Sequence, residues 1–434
     1  MKLFPHAHAT HPQWPLAAGL ALAQLRAQMA LPDYAATPAL GLLYVTEPYA
    51  GQLQDLVDWL AAELPHVTDW AGCVGIGVIA GEAQYTEEPA LAVMLCDLGA
   101  HDYRVFSGVS PLPPQYAATT MLLHADARTV DLPELVAELA GRTQSGGVYG
   151  GLVASRVQPT QVAWSSHGQL PGQAGRSRAV FDGGISGVAF GPAVPWLARV
   201  AGGSRAMGPR HRITAVQGQL VTRLDGQPAL QVLLQDAALP LDASLQARSD
   251  LVALLRETQV RIEPPAGDAP HPGEQAGLNS PDGPDGAIEP PEHAVIGIDM
   301  GQHGLVIAEG QGMLRPGMDL TFCQRDAQSA RRDLVRAGTA LRAAFEPADM
   351  SAGQAQALAE DLDGLPQAGS GIAGAVYVNC ISRGGSYFGA PRADLLLLRR
   401  ALGHVPLIGV LSAGEIAGGQ LRRHTGVLMA FGAD

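Results

Sequence analysis

Four residues in the last eighth of the chain have side chains or backbones that can act on one ligand: Cys380, Arg383, Gly384 and Glu415. Arg383 carries five fixed N–H donors and can hold a carboxylate at two points, and Glu415 can hold an ammonium group. Gly384 allows the backbone to approach a ligand closely. Together these groups suit a zwitterion such as an amino acid. The alternative is that Arg383 and Glu415 form a structural ion pair between two strand ends.

Two short strands and the helix between them must position these residues. The sequence predicts a strand from Ala375 into the glycine-rich turn that holds Arg383, then a leucine-rich helix, then a second strand that ends at Gly414. Ligands bind at the carboxyl ends of strands in open α/β sheets, so both turns are expected at one edge. Gly414 is therefore included in the predicted ligand site. Arg325 also ends a predicted strand, and it is included as a second cation at that edge.

Cys380 supports a second hypothesis, a cysteine-dependent enzyme. Arg383 beside it would lower the pKa of the thiol and favour the nucleophilic thiolate. A buried, inert cysteine is the more common case, so we expect a non-catalytic protein. Four cysteines lie far apart along the chain, which favours free thiols in a reducing cytoplasm.

Several other kinds of site are disfavoured. His6, His8 and His11 have the density of a metal site but lack a neighbouring carboxylate or cysteine, so no metal is predicted. The glycine run at 146–151 is not followed by Gly-Lys-Ser/Thr, and no cofactor is expected. The 28 basic and 41 acidic residues give a net charge of −13, which argues against nucleic acid and anionic membranes as partners.

Length and hydrophobic pattern predict a mixed α/β protein. The 434 residues suffice for two or three domains. Apolar strands alternate with helical spacing of leucines and with hairpin signals, which predicts mixed sheets flanked by helices. Residues 263–292 contain eight prolines, seven acidic residues and no Lys or Arg. This composition predicts a disordered spacer, with a partner-binding segment as the alternative.

Two segments of the chain resemble each other. Each has a Tyr-Val strand, a helix, and then the pattern Gly-x4-Gly-x-Ile-Ala-Gly, beginning at Gly72 in the first and at Gly409 in the second. The order of elements predicts a duplicated α/β unit, with two related domains. Val78 in the first copy occupies the position of Glu415 in the second. The second copy keeps the charged residues, so the site is placed mainly there.

The second half of the chain contains a set of further motifs: Gly317–Asp326, Asn379-Cys380-Ile-Ser-Arg383-Gly384, Phe388-Gly389, Pro406-Leu-Ile-Gly409 and Gly414-Glu415-Ile416. The first half adds Gly72-Cys73, the run 146–151, Gly187–Phe190 and Val221–Leu230. These motifs resemble the FIST family, whose members have an N-terminal and a C-terminal FIST domain. The resemblance implies domains at 36–228 and 229–434, after a lead and helix at 1–35, with residues 263–292 as an insert.

The resemblance also implies a function in intracellular signal transduction. FIST domains are sensory modules for small ligands, including amino acids, and they are often joined to kinase, cyclase, methyl-accepting or F-box modules. No such module is left over in this sequence, so we expect a separate signalling partner of the kinase or cyclase type. The expectation is a cytoplasmic sensor for a small molecule. The alternatives are an enzyme that uses Cys380 and an interaction scaffold.

Overall fold

Contacts between residues divide the chain into two units. The computed structural model describes residues 2–165, 179–239, 249, 251–252, 254–255, 257–264, 292–308, 314–346 and 371–432. Of these, the larger unit contains the residues up to 202 and those from 331 onward, and the smaller unit contains the residues from 203 to 330. The division at residue 228 rests on sequence motifs and stays a prediction. Most of the insert predicted at 263–292 lies outside the described residues.

The first two thirds of the larger unit contain two sets of elements in the same order, except that the first set has an additional helix after its first strand. Module 1 consists of β1 (His6–Thr10), α1 (Trp14–Met29), β2 (Leu40–Thr46), α2 (Leu53–Glu63), β3 (Asp69–Gly75), β4 (Gly77–Ala80), β5 (Ala83–Thr86) and β6 (Ala90–Cys96). Module 2 consists of β7 (Tyr103–Ser107), β8 (Ala118–Ala125), α3 (Leu132–Gly141), β9 (Thr143–Leu152), β10 (Thr160–Ser165), β11 (Val180–Asp182) and β12 (Ile185–Phe190). Strand β13 (Trp196–Ala201) follows.

The smaller unit is a closed antiparallel sheet with one fully described helix. Its elements are β14 (Ser204–Ala206), β15 (His211–Gln217), β16 (Leu220–Leu224), β17 (Gln227–Pro228), α4 (Ala229–Asp236), β18 (Thr258–Glu263), β19 (Glu292–Asp299), β20 (Gly304–Ile307) and β21 (Asp319–Arg325). Strand β18 pairs with both β19 and β21, which closes the order β21-β15-β16-β20-β19-β18 into a ring. Closure removes the free strand edges.

Module 3 completes the larger unit. After α5 (Ala327–Phe345), it consists of β22 (Ile372–Cys380), a short 3-10 helix (Ile381–Arg383), α6 (Ala393–Leu402), β23 (Leu407–Ser412), β24 (Glu415–Ala417), β25 (Gln420–Arg422) and β26 (Gly426–Gly432). Strand β13 belongs to its sheet, because β13 pairs with β26. In each module a helix joins two parallel strands, and an antiparallel strand flanks the first of them.

The three modules exchange hairpins in a cycle. Strands β4 and β5 of module 1 extend the sheet of module 3, β24 and β25 of module 3 extend the sheet of module 2, and β10 and β11 of module 2 extend the sheet of module 1. Modules 1 and 3 contain the two segments in which the sequence predicts a repeat. Module 2 has the same connectivity and was not predicted. The predicted fold class, mixed sheets flanked by helices, is confirmed.

One glycine in the second parallel strand of each module sets a common register. Gly72, Gly150 and Gly409 occupy this position. A Cβ at any of them would overlap the carbonyl oxygen of the residue opposite, which is Leu43, Leu123 and Tyr377 respectively. Close approach of two backbones therefore requires glycine at this point. These three pairs show which positions of the modules correspond.

The inner faces of the three sheets share one hydrophobic core, and helices cover their outer faces. The shared core includes Tyr44, Leu122 and Val378 from the first parallel strand of each module. Helix α2 buries Leu56 and Leu60, one helical turn apart, against the outer face of the first sheet. Within the described ranges, no helix is long and apolar enough to cross a bilayer.

Candidate functional site

Strand β22 buries two polar side chains on its outer face. Side chains alternate along a strand. Val376 and Val378 belong to the shared core, so Tyr377 and Asn379 point to the opposite face. Both are fully buried. The Tyr377 hydroxyl and Asn379 Oδ1 have no hydrogen-bond partner in the described part of the protein, although buried polar atoms are almost always paired.

The Arg383 guanidinium is buried with one edge unused. Arg383 ends the 3-10 helix after β22, and its side chain is 1% exposed. Its Nη1 donates to the carbonyl oxygens of Ala201 (2.5 Å), Gly202 and His424 (3.3 Å). Its Nε and Nη2 have no hydrogen-bond partner in the described residues. These two nitrogens share the edge with which arginine binds a carboxylate at two points.

Asp394 and Phe388 lie beside these groups. Asp394 is in the first turn of α6, and its Oδ2 accepts a hydrogen bond from Asn379 Nδ2 at 3.1 Å. Burial raises the pKa of Asp394, and the charge of Arg383 opposes this rise. Burial, reinforced by Asp394, also raises the pKa of Tyr377 against the opposing effect of the neighbouring Arg383 guanidinium, so its hydroxyl remains a donor. The Phe388 ring lies 5.1 Å from the guanidinium carbon, a cation–π contact.

We call Tyr377, Asn379, Arg383 and Asp394 the polar cluster. The register set by the close-approach glycines shows which residues modules 1 and 2 have at two of these positions. The residues that correspond to Tyr377 and Asn379 are apolar and fully buried: Leu43 and Val45 in module 1, and Leu123 and Ala125 in module 2. The same strand is thus built twice without polar groups. The fold does not require Tyr377 and Asn379 to be polar.

Glu415 begins β24 and uses both of its carboxylate oxygens. Oε1 accepts from Ser412 Oγ at 2.6 Å, and Oε2 accepts from the backbone N–H (3.0 Å) and hydroxyl (2.8 Å) of Thr425. Burial raises the pKa of Glu415 to about 7. Strand pairing places Gln161 at the corresponding position of module 2, where its amide donates to two glycine carbonyls in a turn. In both modules this side chain holds a turn in place.

Cys380 is buried and its thiol is not activated. Burial raises the pKa of Cys380, and the charge of Glu415 acts in the same direction. The pKa is therefore raised and not lowered as expected, because desolvation and a nearby carboxylate both disfavour the thiolate. The Ser382 hydroxyl donates to Cys380 Sγ at 3.2 Å, and its oxygen lies 2.6 Å from His424 Nδ1. All four cysteines are free and buried.

The other predicted site residues have local backbone roles. The Gly384 N–H donates to the Ile381 carbonyl at 3.0 Å and ends the 3-10 helix. The Gly414 carbonyl accepts from the Leu152 N–H at 2.7 Å, where β9 and β24 meet. Arg325 ends β21 in the smaller unit. Ligand contact by Gly384, Gly414 and Arg325 stays a prediction.

Sequence reasoning did not assign Tyr377, Asn379 or Asp394 to the site. Tyr377 is typical of a buried strand, and Asp394 is typical of the first turn of a helix. Asn379 was the available signal, since asparagine is depleted in strands and here follows a continuous apolar run. Tyr377 and Asn379 stand out only when they are compared with the apolar residues at the same positions of modules 1 and 2, and this comparison needs the strand register of all three modules.

Family models match most of the chain. The FIST N domain matches residues 39–227, and the FIST C domain matches residues 293–418. The fold and the buried polar cluster describe a mixed α/β protein with a polar site in its C-terminal module. The chain belongs to the FIST family, as its motifs predict. Domains of this family are linked to sensing in signal transduction.

Curated relatives of nearly the same length come from mycobacteria. An uncharacterized protein of Mycobacterium tuberculosis is 25% identical in an alignment that is 436 residues long with its gaps and covers 94% of this chain and 93% of the relative. An uncharacterized protein of Mycobacterium bovis is 26% identical over 398 residues, which cover 87% of this chain and 86% of the relative. The similarity thus extends over both matched domains.

Proposed function

We propose that this chain is a cytoplasmic sensor that binds an α-amino acid, or a related small carboxylate, at the polar cluster. One observation carries the proposal: four buried polar atoms have no partner among the described residues, and two of them stand where modules 1 and 2 have apolar side chains. An unpaired buried polar group costs about 1–3 kcal/mol. Proteins retain such costs where function needs them.

The unpartnered atoms suit the two ends of an amino acid. The Nε–Nη2 edge of Arg383 would bind the carboxylate at two points, and the Tyr377 hydroxyl would donate a further hydrogen bond. Asn379 Oδ1 accepts, and Asp394 next to it adds negative charge, so this side would bind the ammonium group. Glu415, whose oxygens already accept three hydrogen bonds, is assigned to the turn and not to the ligand.

Charge supports an anionic group on the ligand. The hydrogen bonds of Arg383 go to carbonyl oxygens, which carry no net charge. A buried guanidinium whose hydrogen bonds all go to neutral groups is costly, and a ligand carboxylate at its unused edge would add to the negative charge of Asp394 and Glu415 nearby. Hydrogen bonds to charged groups contribute about 1.5–3 kcal/mol each, so two of them are worth at least a tenfold gain in affinity.

Calorimetry of the full chain against the twenty L-amino acids and small carboxylates tests the proposal. We expect one or a few compounds to bind, and Arg383→Lys to weaken binding at least about tenfold, because lysine lacks the two-point edge. Arg142→Lys is the matched control, since Arg142 also donates to backbone carbonyls but far along the chain from the cluster. Absence of binding to folded protein, or an unchanged affinity in Arg383→Lys, would contradict the proposal.

The signal would leave through a separate partner protein of the kinase or cyclase type. Support comes from the family, whose domains are linked to sensing in signal transduction. Affinity capture with and without a ligand found by calorimetry tests this part. We expect at least one captured protein to change in amount with ligand. An identical set of captured proteins in both states would argue against a ligand-controlled partner.

A further inference from the structure

A serine and a histidine meet at the end of β22 in a geometry that the binding function does not use. Ser382 is the middle residue of the 3-10 helix, and His424 lies in the turn between β25 and β26. The distance between Ser382 Oγ and His424 Nδ1 is 2.6 Å. Both residues are half-buried, so part of each is exposed to solvent. A hydroxyl within hydrogen-bond distance of an imidazole nitrogen is the arrangement of an activated nucleophile and its base.

Hydrogen bonds to residues elsewhere in module 3 fix the turn that contains His424. Its own carbonyl accepts from Arg383 Nη1 at 3.3 Å. The next residue, Thr425, is bonded through its N–H and hydroxyl to Glu415 and through its carbonyl to the Cys380 N–H. His424 has a left-handed backbone with φ of 58°. Non-glycine residues adopt this conformation where surrounding contacts fix it, and such positions concentrate at functional sites.

We propose that Ser382 and His424 form a catalytic pair for acyl transfer, with small carboxylic esters as the substrate class. For the reaction the hydroxyl turns from Cys380 Sγ to His424. With its proton on Nε2, the His424 ring accepts the hydroxyl proton at Nδ1 while Ser382 Oγ attacks the carbonyl carbon. A bond forms between Oγ and the acyl carbon, and the bond to the alkoxy group breaks. The imidazolium returns the proton to the departing alcohol. Water, deprotonated by His424, then releases the acid and regenerates the hydroxyl.

Esters fit this pair better than amides, because an alcohol leaves more easily than an amine from the same tetrahedral intermediate. The neighbouring thiol is the weaker nucleophile. Cys380 is 4% exposed, its Sγ accepts a hydrogen bond from Ser382 Oγ at 3.2 Å, and burial disfavours its thiolate. The pair uses Ser382 Oγ and the His424 ring, and the amino-acid proposal uses Nε and Nη2 of Arg383, so the two proposals depend on different atoms.

Labelling with a fluorophosphonate probe tests the pair. The serine oxygen forms a bond to phosphorus, the phosphorus–fluorine bond breaks, and the hydroxyl proton leaves with fluoride through the histidine. We expect mass spectrometry to place the label on Ser382 of the folded full chain, and Ser382→Ala to remove it. His424→Asn, which keeps a residue that tolerates a left-handed backbone, should slow labelling at least about a hundredfold. Ser386→Ala, an exposed serine in the same turn, should leave labelling unchanged.

The pH profile separates catalysis from a structural contact and does not depend on the folding of a variant. Labelling of the wild-type chain, and its hydrolysis of 4-nitrophenyl acetate, should rise as His424 loses its ring proton and then level off. A label on folded protein no faster than on unfolded protein, a label retained in Ser382→Ala, or a rate independent of pH would overturn the proposal. Amino-acid binding should be unchanged in Ser382→Ala, so the two proposals fail separately.

Discussion

Replacing Tyr377 by Phe removes one hydroxyl and keeps the ring. The ring packs closely on Gly426, and Phe preserves that contact. The hydroxyl is fully buried and lies beside the Arg383 guanidinium, but it makes no hydrogen bond of good geometry in the described residues, so its removal should stabilise the unliganded protein. An unpaired buried polar group costs about 1–3 kcal/mol. We take about 1 kcal/mol as the lower end, which raises Tm by roughly 2–4 °C in a unit of this size.

The same substitution at Tyr44 is the matched control with the opposite sign. Tyr44 is equally buried, but its hydroxyl lies 3.1 Å from His124 Nε2. Burial lowers the pKa of His124 to about 4, so this ring is neutral and loses its partner in Tyr44→Phe. That variant should lose about 1–2 kcal/mol. Thermal unfolding of both variants beside the wild-type chain gives the two signs directly.

Tyr377→Phe should also weaken ligand binding. If the Tyr377 hydroxyl donates to a bound carboxylate, Tyr377→Phe should weaken binding by about tenfold in calorimetry, while its unliganded form is more stable. Tyr44→Phe should bind normally. The reasoning is refuted if Tyr377→Phe unfolds at a lower temperature than the wild-type chain, which would show that its hydroxyl is satisfied in the folded protein.

Three further predictions concern the framework. Glu415→Gln should keep the fold, since module 2 has Gln161 at this position. The pKa of Glu415 is raised from 4.5 to about 7, so the wild-type chain should lose on the order of 1–3 kcal/mol of stability as pH rises from about 4.5 to 7. Thermal unfolding should show this loss in the wild-type chain and not in Glu415→Gln. Burial lowers the pKa of His211, but its hydrogen bonds to two aspartates outweigh this effect and raise the pKa. The stabilisation from these hydrogen bonds is complete below pH 6.5 and is lost as pH rises through the raised pKa. His211→Phe should therefore be less stable than the wild-type chain by about 1–3 kcal/mol at pH 6, and this difference should shrink by pH 8.5. Gly150→Ala should lose about 3 kcal/mol or more of stability in denaturant unfolding, because its Cβ would overlap a carbonyl oxygen. Gly51→Ala is the control: no atom lies near its Cβ, so stability should change by less than about 0.5 kcal/mol.

Local sequence signals predicted the strands and turns around the site well. The apolar run into Cys380 forms β22, and the stretch before Gly414 forms β23. Their parallel pairing brings both turns to one edge, as the rule for strand ends predicts. Arg383 and Glu415 interact electrostatically but form no hydrogen bond with each other in the described structure. Which groups an arginine reaches depends on chain segments remote in sequence, here the carbonyls of Ala201 and Gly202.

Module 2 does not have the sequence pattern that modules 1 and 3 share, and the reason is physical. After Gly150 the chain does not enter the next strand at once, as it does after Gly72 and Gly409; β10 begins only at residue 160. The pattern Gly-x4-Gly-x-Ile-Ala-Gly is therefore absent, although the backbone contact that requires the first glycine is present. The register of paired strands is known only from the folded structure. It is this register that shows apolar residues in modules 1 and 2 where module 3 has Tyr377 and Asn379.

A crystal structure of the chain with the tightest-binding compound from calorimetry tests the central claim most directly. The account predicts electron density for a carboxylate against Nε and Nη2 of Arg383, with the rest of the ligand in contact with the Tyr377 hydroxyl and Asn379 Oδ1. Ordered water alone at these atoms, with the compound bound elsewhere, would contradict it. In that case the polar cluster would be a hydrated part of the fold, and the sensor site would lie outside module 3.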